Sequence, residues 1–230
     1  MKNYDKFGEW ILHGAARGEL GDETEYPIAG CRETLERITD KILCRNAEKI
    51  LCIGVGSEQV AIKLYNESCD VWIVETDPER LAVLQRVMPE ANFISGEMLE
   101  GGESSFFDMF CGLDSDDEDD GQEIEFDAIV WTYSAHRNNS EERMWILDDL
   151  TAILANEGVL YIGDVCFWTT AEREICRRRC RDFWDDDASY IVFDSFKSAV
   201  SKEYGFDDLT RFTRISHCSG VIEVGLDLEE

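Results

Sequence analysis

The stretch ILCIGVGSEQV, residues 50–60, decides how the rest of the chain is read. Its first half is continuously apolar, as expected for a parallel strand covered on both faces. Gly54 and Gly56 mark a tight turn, and SEQVAIKLY continues as a helix. Glycines at a strand-to-helix turn permit positive φ and let the backbone approach a ligand closely. Phosphate-binding loops are built this way, but their fingerprints want a third glycine where this chain has Gln59 or Glu58.

The pattern repeats downstream. DVWIVE reads as a second buried strand, and DPERLAVLQRVM as a helix with Asp77 as N-cap and Pro78 at its first position. The expected apolar face of that helix is Leu81, Leu84, Val87 and Met88. ANFISG is a short third strand and FDAIVWTY a fourth. SEERMWILDDLTAILA is a helix capped by Ser140, with Met144, Leu147, Leu150 and Leu154 inward, and GVLYIGDV is a fifth strand. The run DSDDEDDG before the fourth strand reads as a solvated loop. Residues 167–208 are mostly helical. RFTRISHC and GVIEVGL, joined at a Ser-Gly turn, form a hairpin.

Repeated β-α units predict an α/β fold, doubly wound and Rossmann-like, with a mostly parallel seven-stranded sheet and a C-terminal antiparallel hairpin. In such sheets the ligand lies beyond the carboxyl ends of the central strands. Upstream, ETLERITDKIL places Leu35, Ile38, Ile42 and Leu43 on one face, with an earlier helix near residues 7–12. The expectation is a single domain, residues 1–230, with a helical cap at 1–46 and an α/β core at 47–230.

Charge narrows the ligand. Fifty acidic against 22 basic residues give a net charge of −28, which repels nucleic acid. No apolar run is long enough for a membrane span, and no secretory signal is evident, so a cytoplasmic location is expected. Nine cysteines without a C-x-x-C pair read as reduced residues, and no metal site is expected. Glu75 ends the second strand 21 positions after Gly54, the spacing at which an acid takes ribose hydroxyls. Glu58, at the start of the first helix, would oppose the pyrophosphate of a dinucleotide. S-adenosylmethionine (SAM) has no phosphate and is net cationic, so the same acid favours it.

With these residues in hand, the chain from Lys49 to its end resembles a class I SAM-dependent methyltransferase of the bacterial small-molecule type. ILCIGVGSE resembles the first motif, VWIVETDPERL the acid-ended second strand, and FISGEM the segment near the adenine. FDAIVWTYSAHR resembles the fourth-strand motif and LANEGVLYIGD the turn into the fifth. The chain departs from the family at Cys52, where an acid is usual, and at Glu58, where a third glycine is usual. The resemblance implies SAM as cofactor and a small-molecule methyl acceptor. It assigns cofactor contacts to Ile53, Gly54, Val55, Gly56 and Glu58, to Glu75 and Thr76, to Gly96, Glu97 and Met98, and to Thr132.

Tyr133 and His136 follow the fourth strand, where the family places substrate-facing residues, and His136 has the chemistry of a general base. Asp164 ends the fifth strand and is placed to touch substrate, but reads first as a cap or loop anchor. Tyr4, Trp10, His13 and Tyr26 supply cap aromatics suited to packing or to a sulfonium. Arg173, Arg177, Arg178, Arg179 and Arg181 form one basic stretch, expected to pair with Asp185–Asp187 nearby or to receive an anionic acceptor. The adjacent Cys176 and Cys180 would have lowered thiol pKa values if those arginines govern them. A homodimer through the hairpin edge or the cap is compatible with the sequence. Two other readings stay open at this stage: a SAM-binding or regulatory module without turnover, and an NAD(P)-dependent reductase.

Overall fold

The computed structural model describes residues 25–95, 124–205 and 208–225. Its elements run α1 (Cys31–Cys44), β1 (Lys49–Gly54), α2 (Ser57–Asn66), β2 (Asp70–Glu75), α3 (Pro78–Val87), β3 (Asn92–Ser95) and β4 (Phe126–Thr132). A 3-10 turn follows (Ala135–Arg137), then α4 (Ser140–Thr151), β5 (Leu154–Phe167), α5 (Thr170–Arg179), β6 (Ile191–Val192), α6 (Phe193–Tyr204), β7 (Thr210–Arg214) and β8 (Ser219–Val224). The sheet order is β3-β2-β1-β4-β5-β8-β7, with β6 beside the end of β5. The first five strands are parallel; β8 is antiparallel to β5 and to β7.

The expected seven strands are therefore present, and two-residue β6 is an eighth that its length hid in the sequence. The chain order reverses between β1 and β4, which pair directly at Gly54 and Thr132. That junction is the switch point where such sheets bind ligands.

Each face of the sheet carries its own core. On one, Leu35, Ile38 and Ile42 of α1 and Val60 and Leu64 of α2 pack against Ile50, Cys52 and Val130. On the other, Leu147 and Leu150 of α4 and Phe196 and Val200 of α6 cover Leu51, Ile129, Leu160 and Ile222. Each such side chain contributes about 1.5–3 kcal/mol by leaving water. Helix α1 is thus a layer of the core, packed so closely on β5 that a Cβ at Gly163 would lie 2.8 Å from Ile38 Cδ1 and 2.9 Å from Thr34 Cγ2. The part of the expected cap at 1–24 falls outside the described residues.

Several local expectations are corrected. Leu43 is 37% exposed, and the buried face of α1 uses Cys31, Thr34 and Thr39 beside Leu35, Ile38 and Ile42. On α3 only Leu84 is fully inward, with Met88 buried just past the helix end and Val87 half exposed. Asp77 caps α3 as expected, accepting from the amides of Glu79 and Arg80. For α4 the cap is Asn139, one residue earlier than Ser140, in a capping box with Glu142. Leu154 already belongs to β5, pairing with Phe126. Ser219 and Gly220 are in β8, so the hairpin turns at 215–218. Gly220 is a packing glycine, because a Cβ would meet the Phe212 ring at 2.4 Å.

Candidate active site at the carboxyl ends of the central strands

Gly54 and Gly56 adopt φ of 92° and 84°. At Gly54 a Cβ would stand 2.1 Å from the carbonyl oxygen of Thr132 and 2.6 Å from Ser134 Oγ, so the crossing with β4 already requires glycine. The loop is tied at two points. Ser57 Oγ donates to the Gly54 carbonyl at 2.8 Å, and Thr132 Oγ1 donates to the Val55 carbonyl at 2.9 Å. Thr132 is fully buried and supports the loop; Ile53 and Val55 are half-buried beside it.

Glu58 lies in the first turn of α2, where two acids and one cation meet. Burial raises its carboxyl pKa; backbone amides at the helix start and Arg80 pull it down, while Glu75 pushes it up. Cys52, fully buried beneath, has its thiol pushed up by burial and then by the Glu58 charge. The carboxylate of Glu58 therefore acts on the position where the resemblance led one to expect an acid.

Glu75 ends β2 and is 8% exposed. Its Oε1 accepts from the Asp77 amide at 2.7 Å and from Arg80 Nη2 at 2.9 Å. Neither bond uses Oε2. Thr76 next to it is exposed. Gly96, Glu97 and Met98 lie outside the described residues, as do Tyr4, Trp10 and His13.

Past Thr132 the chain is forced through an uncommon conformation. Tyr133 has φ of 44°, a left-handed geometry that costs a residue with a side chain on the order of 1–3 kcal/mol. The turn sends the Tyr133 ring inward. It is fully buried in the α1-side core, with its hydroxyl among Cys31 and Thr34, so Tyr133 does not face the site. The same turn carries the 3-10 segment over β5, bringing His136 onto Asp164, which lies within that strand and not at its end as expected, because β5 continues to Phe167. Asp164 Oδ1 meets His136 Nδ1 at 2.6 Å, Oδ2 accepts the His136 amide at 3.0 Å, and Oδ1 also accepts the Val165 amide at 2.6 Å. Asp164 is wholly buried and His136 8% exposed. A buried carboxylate on Nδ1 fixes the tautomer that leaves Nε2 as the basic nitrogen.

Aromatic rings back this pair. Tyr190 lies against His136 with centroids 5.8 Å apart and planes 26° apart. Trp184 meets Tyr190 edge-on at 4.8 Å, and Tyr26 stacks on Trp184 at 5.2 Å. The Tyr26 and Tyr190 hydroxyls are hydrogen-bonded to each other. Burial raises both phenols, Tyr26 to about 12. Tyr190, Trp184 and the buried Arg143 escaped the sequence reading. Arg143 alone left a signal, since it shares the inward face of Leu147 and Leu150 at helical spacing.

The basic stretch on α5 behaves as a partly paired surface: Arg177 contacts Asp186 at 2.7 Å and Arg173 contacts Glu174 at 3.1 Å. Its cysteines are not activated. Cys176 is raised by a thiol hydrogen bond to Cys218 and by burial, and burial raises Cys180 to about 11. The arginine effect on both is the weakest of the influences acting on them. None of the eight cysteines in the described residues is in a disulfide, and no group of three His, Cys, Asp or Glu among those residues is arranged to hold a metal ion.

The strand order, the glycine turn at the switch point and the terminal antiparallel pair together define the class I SAM methyltransferase fold. Solved structures of that kind superpose on nearly the whole chain. A magnesium protoporphyrin IX methyltransferase from Synechocystis PCC 6803, with S-adenosylhomocysteine (SAH) bound, matches at TM-score 0.61 and 13% identity over 97% of both chains. An O-methyltransferase family protein from Burkholderia thailandensis matches at 0.59 and 12% identity, over 99% of this chain and 69% of its own. A TehB-like SAM-dependent methyltransferase from Corynebacterium glutamicum matches at 0.55 and 16% identity over 97% of both. No family model and no curated protein sequence matches the chain. No helix among the described residues is long and apolar enough to cross a membrane.

Proposed function

We propose that the protein is a SAM-dependent methyltransferase acting on a small-molecule acceptor that carries a hydroxyl or amine. One observation supports this most: Asp164, which holds His136, directly follows Gly163 in the row Gly54–Thr132–Gly163 that crosses the switch point of a methyltransferase-type sheet. Ser134, which approaches Gly54, is only two residues from His136.

The loop residues suit SAM by charge. Gly54 and Gly56, at φ of 92° and 84°, carry the backbone through the turn after β1. Glu75 keeps Oε2 for ribose hydroxyls while Arg80 and the Asp77 amide hold Oε1. Glu58 offers a carboxylate to the ammonium of the methionine end, taking over from the acid missing at Cys52. Gly96, Glu97 and Met98 are proposed to reach the adenine. When bound, SAM supplies an electrophilic methyl carbon on its sulfonium.

The chain's own part is alignment and proton removal. His136 Nε2 accepts the acceptor's proton as its oxygen or nitrogen attacks. The proton stays on the imidazole, and buried Asp164 stabilises the resulting cation through Nδ1–H. Tyr190 and Trp184 form an apolar wall that holds the ring and excludes water from one face of it. Methyl transfer needs mainly proximity and desolvation, so removal of the base lowers the rate without abolishing it.

The test is calorimetry with SAH followed by transfer of labelled methyl from SAM to a panel of phenols, alcohols and amines, wild type against His136→Gln. SAH binding with His136-dependent transfer supports the reading. Binding without transfer to any acceptor points to a module without turnover, and absence of SAH binding at millimolar ligand rejects both.

A further inference from the structure

We infer that Arg143 is the positioning residue of the His136–Asp164 pair, an assignment that rests on the methyltransferase reading above. Arg143 occupies the first turn of α4 and is 6% exposed. Its Nη1 donates to the carbonyls of Ala135 at 2.9 Å, Asn138 at 2.8 Å and Ser189 at 2.6 Å, and its Nη2 to Ser189 Oγ at 3.3 Å. Ala135 and Asn138 bracket His136 within the 3-10 turn. Ser189 completes the frame, since its amide donates to the His136 carbonyl at 2.7 Å and the next residue, Tyr190, lies against the imidazole. One guanidinium thus joins the three pieces of backbone that set where the imidazole stands.

The choice of arginine is informative. Its donors go to carbonyl oxygens, and the charges acting on it are Asp164 first and Glu142 second. A buried cation held by carbonyls is costly, and a helix anchor could be built more cheaply from apolar residues. What it supplies is a rigid planar fork and a fixed positive charge that interacts with Asp164. Among the described residues, the ionisable groups around the imidazole include Asp164 on β5, Arg143 on α4 and Tyr190 before β6, with Tyr26 beyond Tyr190. Arg143 touches neither the acceptor nor the reacting atoms; it acts through His136.

The experiment uses the full chain as wild type, Arg143→Lys and Arg143→Gln. Arg143→Lys keeps the charge and removes the fork; Arg143→Gln removes both. Three readouts are taken: thermal melting, SAH affinity by calorimetry, and the imidazole titration of His136 by heteronuclear NMR. The chain has only 3 histidines, and His136→Gln identifies the resonance. The expected result is SAH affinity within about threefold of wild type, because the glycine loop is untouched, with the His136 titration displaced from that of the wild type. Where an acceptor is in hand, kcat falls by up to about 10²-fold with little change in KM for SAM. A cooperatively melting variant whose His136 titrates as in the wild type overturns the assignment, and either variant suffices for that outcome. Failure of the wild type to bind SAH would instead remove the methyltransferase reading, while the titration would still report whether Arg143 sets the pair.

Discussion

Asp164 binds His136 twice, taking the ring nitrogen on one carboxylate oxygen at 2.6 Å and the backbone amide on the other at 3.0 Å. The bidentate grip fixes both the orientation of the ring and the place of its backbone. Asp164→Asn keeps the shape and removes the charge, so the imidazolium loses its stabilising partner. Methyl transfer is expected to slow by about 10²–10⁴-fold, the range for loss of general base function. Initial rates check this; an unchanged rate contradicts it.

Gly54→Ala is expected to damage fold and site together. The residue has φ of 92°, and the added Cβ would lie 2.1 Å from backbone on the neighbouring strand. The left-handed strain alone costs about 1–3 kcal/mol. In a chain of this size each kcal/mol lowers Tm by about 2–4 °C. Scanning calorimetry should record a drop of several degrees, and SAH binding should be lost.

Glu58 gives a pH-dependent prediction. Its folded pKa is raised above 4.5, chiefly by burial. As pH climbs between the unfolded and folded pKa values, the unfolded chain has released a proton that the folded chain still holds, so stability falls through that window. Above the folded pKa the penalty is complete. Glu58→Gln removes it, so the Tm gain of the variant over wild type should grow from about pH 4 upward and then level off. A gain independent of pH contradicts this origin. The same variant should bind SAH more weakly, because the ammonium loses its carboxylate.

The sheet was legible because parallel strands buried on both faces leave unbroken apolar runs, and because Asp77-Pro78 announces a helix start. β6 was not, since two residues carry no period. Ser219-Gly220 looked like a turn, yet Gly220 is glycine to clear the Phe212 ring, a reason set by packing across the hairpin. Gly54, Glu75 and His136 were singled out by their places at or after strand ends. Tyr133 stood equally close in sequence, but its left-handed backbone turned it into the core. The union of Asp164 with His136, 28 residues apart, depends on how far the 3-10 turn overhangs β5, which no local pattern encodes. Tyr190 and Ser189 arrive from a segment whose role exists only once α4 has been packed.

The most direct measurement is isothermal calorimetry with SAH on the wild type and on Glu75→Gln. The wild type is predicted to bind one SAH per chain in the micromolar range. Glu75→Gln gives up charge-assisted bonds worth about 1.5–3 kcal/mol and should bind roughly 10–100-fold more weakly. No binding to the wild type at millimolar SAH, or equal affinity in the two proteins, would contradict the placement of the cofactor at the end of β2.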